Sequence, residues 1–281
     1  MSRSRTLSII ACAALSLAAP LGAQGAHRIL VVNDDGIASP GIEALARALS
    51  DLGEVTVVAP EHNQSGISMA VTFDAEVPLL QPDKGGGIRW FAADLKPADC
   101  VTLGLDHLMP ERPDLVVSGI NKGSNLGNVT TSLSGTIGAA RMAALHGLPA
   151  IAVSMGSYQD ESLEWQTAAE LARRLARQVL TRGLPAGVLL NLNIPNRPLG
   201  ELRGVRITRL GGQEFGWHYD EVAGEGGAVR LQQGTHELPN AGTLDDDLTA
   251  FAAGYATITP LTSDTTALEL LREVGTWDLE P

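Results

Sequence analysis

The apolar run Ile29-Leu30-Val31-Val32 stops abruptly at Asn33-Asp34-Asp35-Gly36, and an amphipathic pattern begins a few residues later. A short β-rich run that ends in polar residues and leads into a helix predicts the first strand of an open α/β sheet. The polar residues then lie at its carboxyl end, where such sheets bind ligands. Two adjacent aspartates at a strand tip repel each other, so the pair asks for a cation that neutralises it. Gly36 lets the backbone turn sharply just after them. In isolation, an Asp-Asp pair also matches a helix-capping acid beside a solvated one, and the rest of the chain has to decide.

The pattern repeats. Ser39-Pro40 opens a helix with a capping hydroxyl and a first-turn proline; Ile42, Leu45, Ala46 and Leu49 follow at helical spacing, and Gly53 is expected to end it. Val55–Ala59 reads as a second strand, and the polar loop Glu61-His62-Asn63-Gln64-Ser65-Gly66 leaves its carboxyl end, which should bring it beside Asp34 and Asp35. Further strands are expected at Ile88–Ala92, Asp114–Ser118, Ala150–Ser154 and Val188–Ile194. Helices are expected from Pro97 and over Leu163–Leu180, the latter with Arg173, Arg174 and Arg177 outward.

Two stretches carry chemistry. Gly119-Ile120-Asn121-Lys122-Gly123-Ser124-Asn125-Leu126-Gly127 follows a buried strand but fits neither the dinucleotide nor the P-loop glycine pattern. Its asparagines offer neutral oxygens to a hard cation, and Lys122 can meet an anion. Ser134-Gly135-Thr136 leads into a helix whose first N–H groups can converge on an anion, although an ordinary N-cap has the same appearance.

Past residue 200, the short β runs Val205–Thr208 and Ala256–Thr259 flank a Gly-rich, acidic segment, read as a projecting β arm exchanged between subunits. Trp217, His218 and Tyr219 on this arm are candidates for stacking on a base. The fold class is therefore α/β, a Rossmann-like three-layer α/β/α arrangement with a mostly parallel sheet. A core spans 27–200, and the arm with its return to the core spans 201–281.

Residues 1–26 stand apart: Arg3 and Arg5, an apolar stretch from Leu7 to Leu21, then Gly22, Ala23, Gly25 and Ala26. That is the layout of a cleaved secretory signal, so a periplasmic or secreted protein without stable membrane association is expected. The net charge of −12 becomes more negative once that basic segment is removed, which argues against nucleic-acid polymers as partners. Of the two cysteines only Cys100 follows the segment, and it is expected on the core face of a helix as a small hydrophobe rather than in a disulfide.

In order along the chain, Ile29–Ile37, Val58-Ala59-Pro60 with Gln64-Ser65-Gly66, Asp114–Asn121 and Ser134-Gly135-Thr136 resemble the motifs of the SurE family of survival-protein nucleotidases. Asn191–Pro195 and Gly254-Tyr255 with Thr259-Pro260-Leu261 add weaker support. The resemblance runs over about residues 27 to 270 and implies a Rossmann-like domain with a swapped arm, assembled as a homodimer or homotetramer. It also implies a phosphomonoesterase acting on nucleoside 5′- and 3′-monophosphates with one divalent metal ion, Mg²⁺ or Mn²⁺. Carried over by motif, the metal ligands are Asp34, Asp35, Ser65 and Asn121. Asn33 orients the phosphate or an attacking water, and Ser134, Gly135 and Thr136 hold phosphate oxygens.

The chain departs from the common family pattern at Leu95-Lys96-Pro97, at Leu133 before Ser134, and at Asp247-Leu248-Thr249. Two rival readings share the crevice: a broad acid phosphatase or exopolyphosphatase, and a non-catalytic exported nucleotide-binding protein. The second has no need of a paired carboxylate site.

Overall fold

The computed structural model describes residues 26–213, 215–223, 228–238 and 242–278. The expected export signal, with Cys12, lies outside these residues apart from Ala26.

Alternation along β1 (His27–Val32) sets the layers. Ile29 and Val31 face one core with α1 (Pro40–Leu49) and α5 (Trp165–Arg182), while Leu30 and Val32 face a second core with α2 (Pro97–Leu103) and α4 (Gly135–Leu145). Helices thus cover both faces of the sheet. Its remaining strands are β2 (Gly53–Pro60), β3 (Arg89–Ala93), β4 (Leu115–Lys122), β5 (Ala150–Met155), β6 (Val188–Ile194), β7 (Val205–Ile207) and β10 (Ala256–Thr262), in the order β3-β2-β1-β4-β5-β6-β10-β7. β1 to β6 are mutually parallel; β10 runs antiparallel to β6 and pairs with β7. Strand order therefore reverses between β1 and β4, the position at which an open sheet leaves a crevice at its carboxyl edge.

Several expectations are corrected in detail. Gly53 does not end the first helix. It opens β2, where a Cβ would lie 2.0 Å from the His27 carbonyl oxygen, so the close strand pairing requires glycine. Ser39 caps α1 by accepting the Gly41 N–H, and the helix stops at Leu49. The strand expected to end at Ser118 continues through Lys122 after a register shift between Ser118 and Asn121, which carries part of the glycine-rich stretch into the sheet edge. A short helix that the sequence reading misses, α3 (Gly127–Leu133), links that stretch to α4. Cys100 is fully buried on α2, as expected.

Beyond β7 the chain forms a separate antiparallel pair, β8 (Phe215–Ala223) with β9 (Val229–Glu237), then α6 (Asp247–Ala252), β10 and the short α7 (Leu271–Val274). The base of this pair is fastened to the site side of the sheet by Asp247. Its fully buried carboxylate accepts the N–H groups of Gly127 at 3.0 Å, Gly211 at 2.7 Å and Leu248 at 2.9 Å. Burial pushes its pKa up, and the N–H bonds oppose that. Asp247→Ala leaves those donors without their acceptor. The expected loss of stability is roughly 2–4 kcal/mol, read as a lower denaturant midpoint at unchanged slope.

Candidate active site

The crevice between β1 and β4 receives the tips of both strands. Asp34 is 2% exposed. Thr136 Oγ1 donates to its Oδ1 at 2.6 Å, and the Thr136 backbone adds a second bond. Gly135 brings the start of α4 against the same carboxylate: a Cβ there would sit 2.9 Å from Asp34 Oδ2. Burial nevertheless raises the Asp34 pKa. Asp35 Oδ2 accepts the Lys122 N–H at 3.0 Å, which ties the first strand tip to the end of β4. Its pKa is pushed up to about 7, by burial first and by the neighbouring Asp34 charge second, with Lys122 opposing.

Asn121 is fully buried, and its Nδ2 donates to the Gly123 carbonyl at 2.6 Å while its Oδ1 has no hydrogen-bond partner among the described residues. A buried amide oxygen left unpaired is costly unless something electropositive meets it. Ser65 lies on the loop after β2, which is pinned to the crevice by the Gln64 N–H donating to the Asp34 carbonyl at 2.7 Å and by the Ser65 N–H on Asn63 Oδ1 at 2.9 Å. Two carboxylates that resist joint ionisation, an orphaned amide oxygen and a nearby hydroxyl make an all-oxygen donor set, and it fits a hard divalent cation.

The other expected residues have different partners from those anticipated. Asn33 spends both ends of its side chain on Gly36, donating to its carbonyl at 3.0 Å and accepting its N–H at 3.3 Å, so it holds the aspartate turn in shape. Ser134 Oγ accepts the Ile137 N–H as the α4 N-cap. Thr136 Oγ1 donates its proton to Asp34, whereas Ser134 Oγ only accepts and keeps its own proton to offer an anion beside the amides and dipole of the helix start.

Behind these tips, Asn125 is locked by side chains from β5 and β6. Its N–H donates to Asn193 Oδ1 at 2.7 Å, its Nδ2 to Ser154 Oγ at 2.7 Å, and its carbonyl accepts from Asn191 and Asn193. No local signal reveals this network, because its members are far apart in sequence.

Beside the Lys122–Ser124 turn opens a recess of about 230 Å³ walled by Ser124, Tyr158, Phe215 and His236. The Tyr158 ring packs over Gly123, where a Cβ would meet its Cε2 at 2.5 Å. The aromatic residues at the recess are thus Tyr158 and Phe215. Of the residues expected from the sequence, Trp217 meets Phe215 edge-on at 5.2 Å, and Tyr219 is 60% exposed farther along β8.

Because Asp35 titrates near 7 in the folded chain against 3.8 ordinarily, the folded cation-free protein holds protons there that the unfolded chain has released. Its stability therefore falls as pH rises through that interval. The melting temperature of chelator-treated protein is expected to drop between pH 5 and pH 8, and Mn²⁺ is expected to raise it more at pH 8. Equal gains at both pH values would remove the carboxylates from the cation site.

A family model described as Survival protein SurE matches residues 29–216. The 5′-nucleotidase SurE of Pelobacter propionicus is 41% identical over 249 residues, covering 89% of this chain and 98% of the relative. That of Geobacter sulfurreducens is 42% identical over 251 residues, covering 89% and 94%. The crystal structure of the SurE protein from Aquifex aeolicus superposes with a TM-score of 0.77 at 35% identity, covering 88% of this chain and 98% of that one. With sequence and fold in agreement over nearly its whole described length, this chain belongs to the SurE survival-protein family.

Proposed function

We propose that this protein is a nucleotidase that hydrolyses nucleoside 5′-monophosphates, and 3′-monophosphates as well, with one Mg²⁺ or Mn²⁺ ion. The observation that carries the reading is the pair Asp34 and Asp35 at the reversal of strand order, with the unpartnered Asn121 Oδ1 on the residue next to Lys122, whose N–H bonds Asp35. Relatives at about 40% identity that bear the name 5′-nucleotidase SurE support the substrate class.

Asp34, Asp35, Asn121 Oδ1 and Ser65 Oγ would hold the cation. The chemistry such an ion supplies is neutralisation of phosphoryl oxygens and a lower pKa for an attacking water. The chain's own groups do the rest. The amides at the start of α4 meet non-bridging oxygens, Lys122 adds positive charge beside Asp35, and Asn33 keeps the aspartate turn rigid. The recess between Tyr158 and Phe215 receives the base and ribose, one turn of chain from Asn121.

The leader pattern of residues 1–26 supports export to the periplasm or medium, and the acidic composition supports a small-molecule substrate rather than nucleic acid or a membrane surface. On the β8–β9 pair, Tyr219, Val229 and Leu231 are each at least 60% exposed, which supports a homodimer or homotetramer built through the arm.

The deciding experiment is AMP hydrolysis by chelator-stripped protein with Mg²⁺, Mn²⁺ or Zn²⁺ added back singly. Activity is expected to return with Mg²⁺ or Mn²⁺ and to fall at least a hundredfold in Asp34→Asn with the fold retained. Folded protein that binds AMP but fails to hydrolyse it with any of the three ions would instead be a binding protein. Tyr158→Ala and Phe215→Ala are expected to raise KM for AMP about tenfold while changing hydrolysis of a base-free phosphomonoester much less. Equal effects on both substrates would favour a broad phosphatase.

A further inference from the structure

The chain contains only three lysines, Lys84, Lys96 and Lys122, among its 20 basic residues, and each is tied to a loop of the crevice. Lys84 Nζ donates to the Ile37 carbonyl at 2.7 Å, just past the aspartate turn. Its charge is spent there, with Glu43 at 3.8 Å and the Trp90 ring centroid at 4.7 Å. Lys122 stands at Asp35, where its charge works against the raised carboxyl pKa.

Lys96 is different. Its ammonium donates to Gln64 Oε1 at 3.0 Å, a neutral acceptor, and among the described residues no carboxylate lies within ion-pair distance of it. Of the two acids that flank it, Asp94 is exposed and makes no bond to it, and Asp99 is occupied with backbone donors: it accepts the Lys96 N–H at 3.1 Å and the Thr72 N–H at 3.0 Å. Gln64 in turn donates its N–H to the Asp34 carbonyl and directly precedes Ser65. A half-buried ammonium is therefore held by the side chain of the residue whose backbone N–H is bonded to the main-chain carbonyl of Asp34. Its field is screened less there than on an open surface.

We infer that Lys96 forms a second anion position at the rim of the site, which receives a phosphate group of the substrate other than the one being cleaved. The inference rests on the nucleotidase reading and extends it to substrates with two or more phosphates. The scissile group is met by the aspartate side of the crevice and the start of α4. A further phosphate of the same molecule then finds its counter-charge at Lys96, where it replaces Gln64 or shares the ammonium's remaining protons with it. A lysine suits this task because its compact charge on a flexible stem accepts a phosphate without demanding one orientation. A bisphosphorylated nucleoside and a condensed inorganic phosphate offer the same second group.

The test compares wild type with Lys96→Thr and Lys96→Arg. Threonine is a good N-cap at the start of α2, so loss of folding does not confuse the result. One arm measures KM and kcat for AMP and for adenosine 3′,5′-bisphosphate in the Mg²⁺-loaded protein. The other measures, by calorimetry, affinity for orthophosphate and for methylenebisphosphonate, which is not hydrolysed.

Lys96→Thr is expected to weaken the doubly charged member of one pair by on the order of tenfold relative to its partner, through KM or Kd rather than kcat, with Lys96→Arg restoring most of it. The pair that responds identifies the source of the second phosphate. Ratios that change less than twofold in both pairs, or a loss shared equally by both members, would overturn the inference. If wild type turns over no nucleotide, the nucleotidase reading falls, and calorimetry with the two nucleotides still decides the role of Lys96.

Discussion

Burial of the Asp34 carboxylate beside a second acid is the constraint around which the crevice is built. A carboxylate removed from water and placed next to like charge is held above its ordinary pKa; donors from α4 and β4 oppose this, and a third bond from the β2 loop holds the turn's backbone. Thr136 and the close approach of Gly135 bring α4 to Asp34, Lys122 brings β4 to Asp35, and the Gln64 amide brings the β2 loop to the Asp34 carbonyl. None of these bonds neutralises the charge, and at the end of β4 the buried Asn121 Oδ1 has no hydrogen-bond partner among the described residues. An all-oxygen donor set of this kind is suited to a hard divalent cation.

The precision of that assembly comes from packing at a distance. Asn125, clamped by Asn191, Asn193 and Ser154, fixes the chain just beyond Asn121, and Asp247 fixes Gly127 and the base of the β8–β9 pair. These are buried polar groups satisfied by partners on other elements, the kind of contact that specifies one geometry rather than adding bulk stability. Through them the arm, the sheet edge and the aspartate turn form one connected unit. The recess walled by Tyr158 and Phe215 opens beside it.

Much of this was legible in the sequence. Alternation of apolar residues and their abrupt ends locate the strands of the parallel sheet, and the polar tips after β1, β2 and β4 meet where the crossover rule places them. Element boundaries were less legible where glycine serves packing rather than turning. Gly53 stops no helix but allows β1 and β2 to approach, and the glycines after Ser118 lie partly within β4. The roles of individual hydroxyls were least legible. Ser134 and Thr136 carry the residue types of a phosphate cradle, and only the packed structure shows that the first also caps its helix and the second donates to Asp34. A hydroxyl takes the acceptor that geometry offers, and sequence does not record the geometry.

The sequence by itself therefore determined the layers, the strand polarity and which polar residues stand at the strand tips, because periodicity and strand-end chemistry are local properties, while the metal-ligating candidates came from the resemblance of its motifs to a family. Only the tertiary structure decided which donors meet Asp34 and Asp35, which aromatic rings wall the recess, and that, among the described residues, Asn121 Oδ1 has no partner and the Lys96 ammonium bonds the neutral Gln64. Those outcomes depend on distances between residues far apart along the chain. Such distances are set by how the elements pack, which no local pattern encodes.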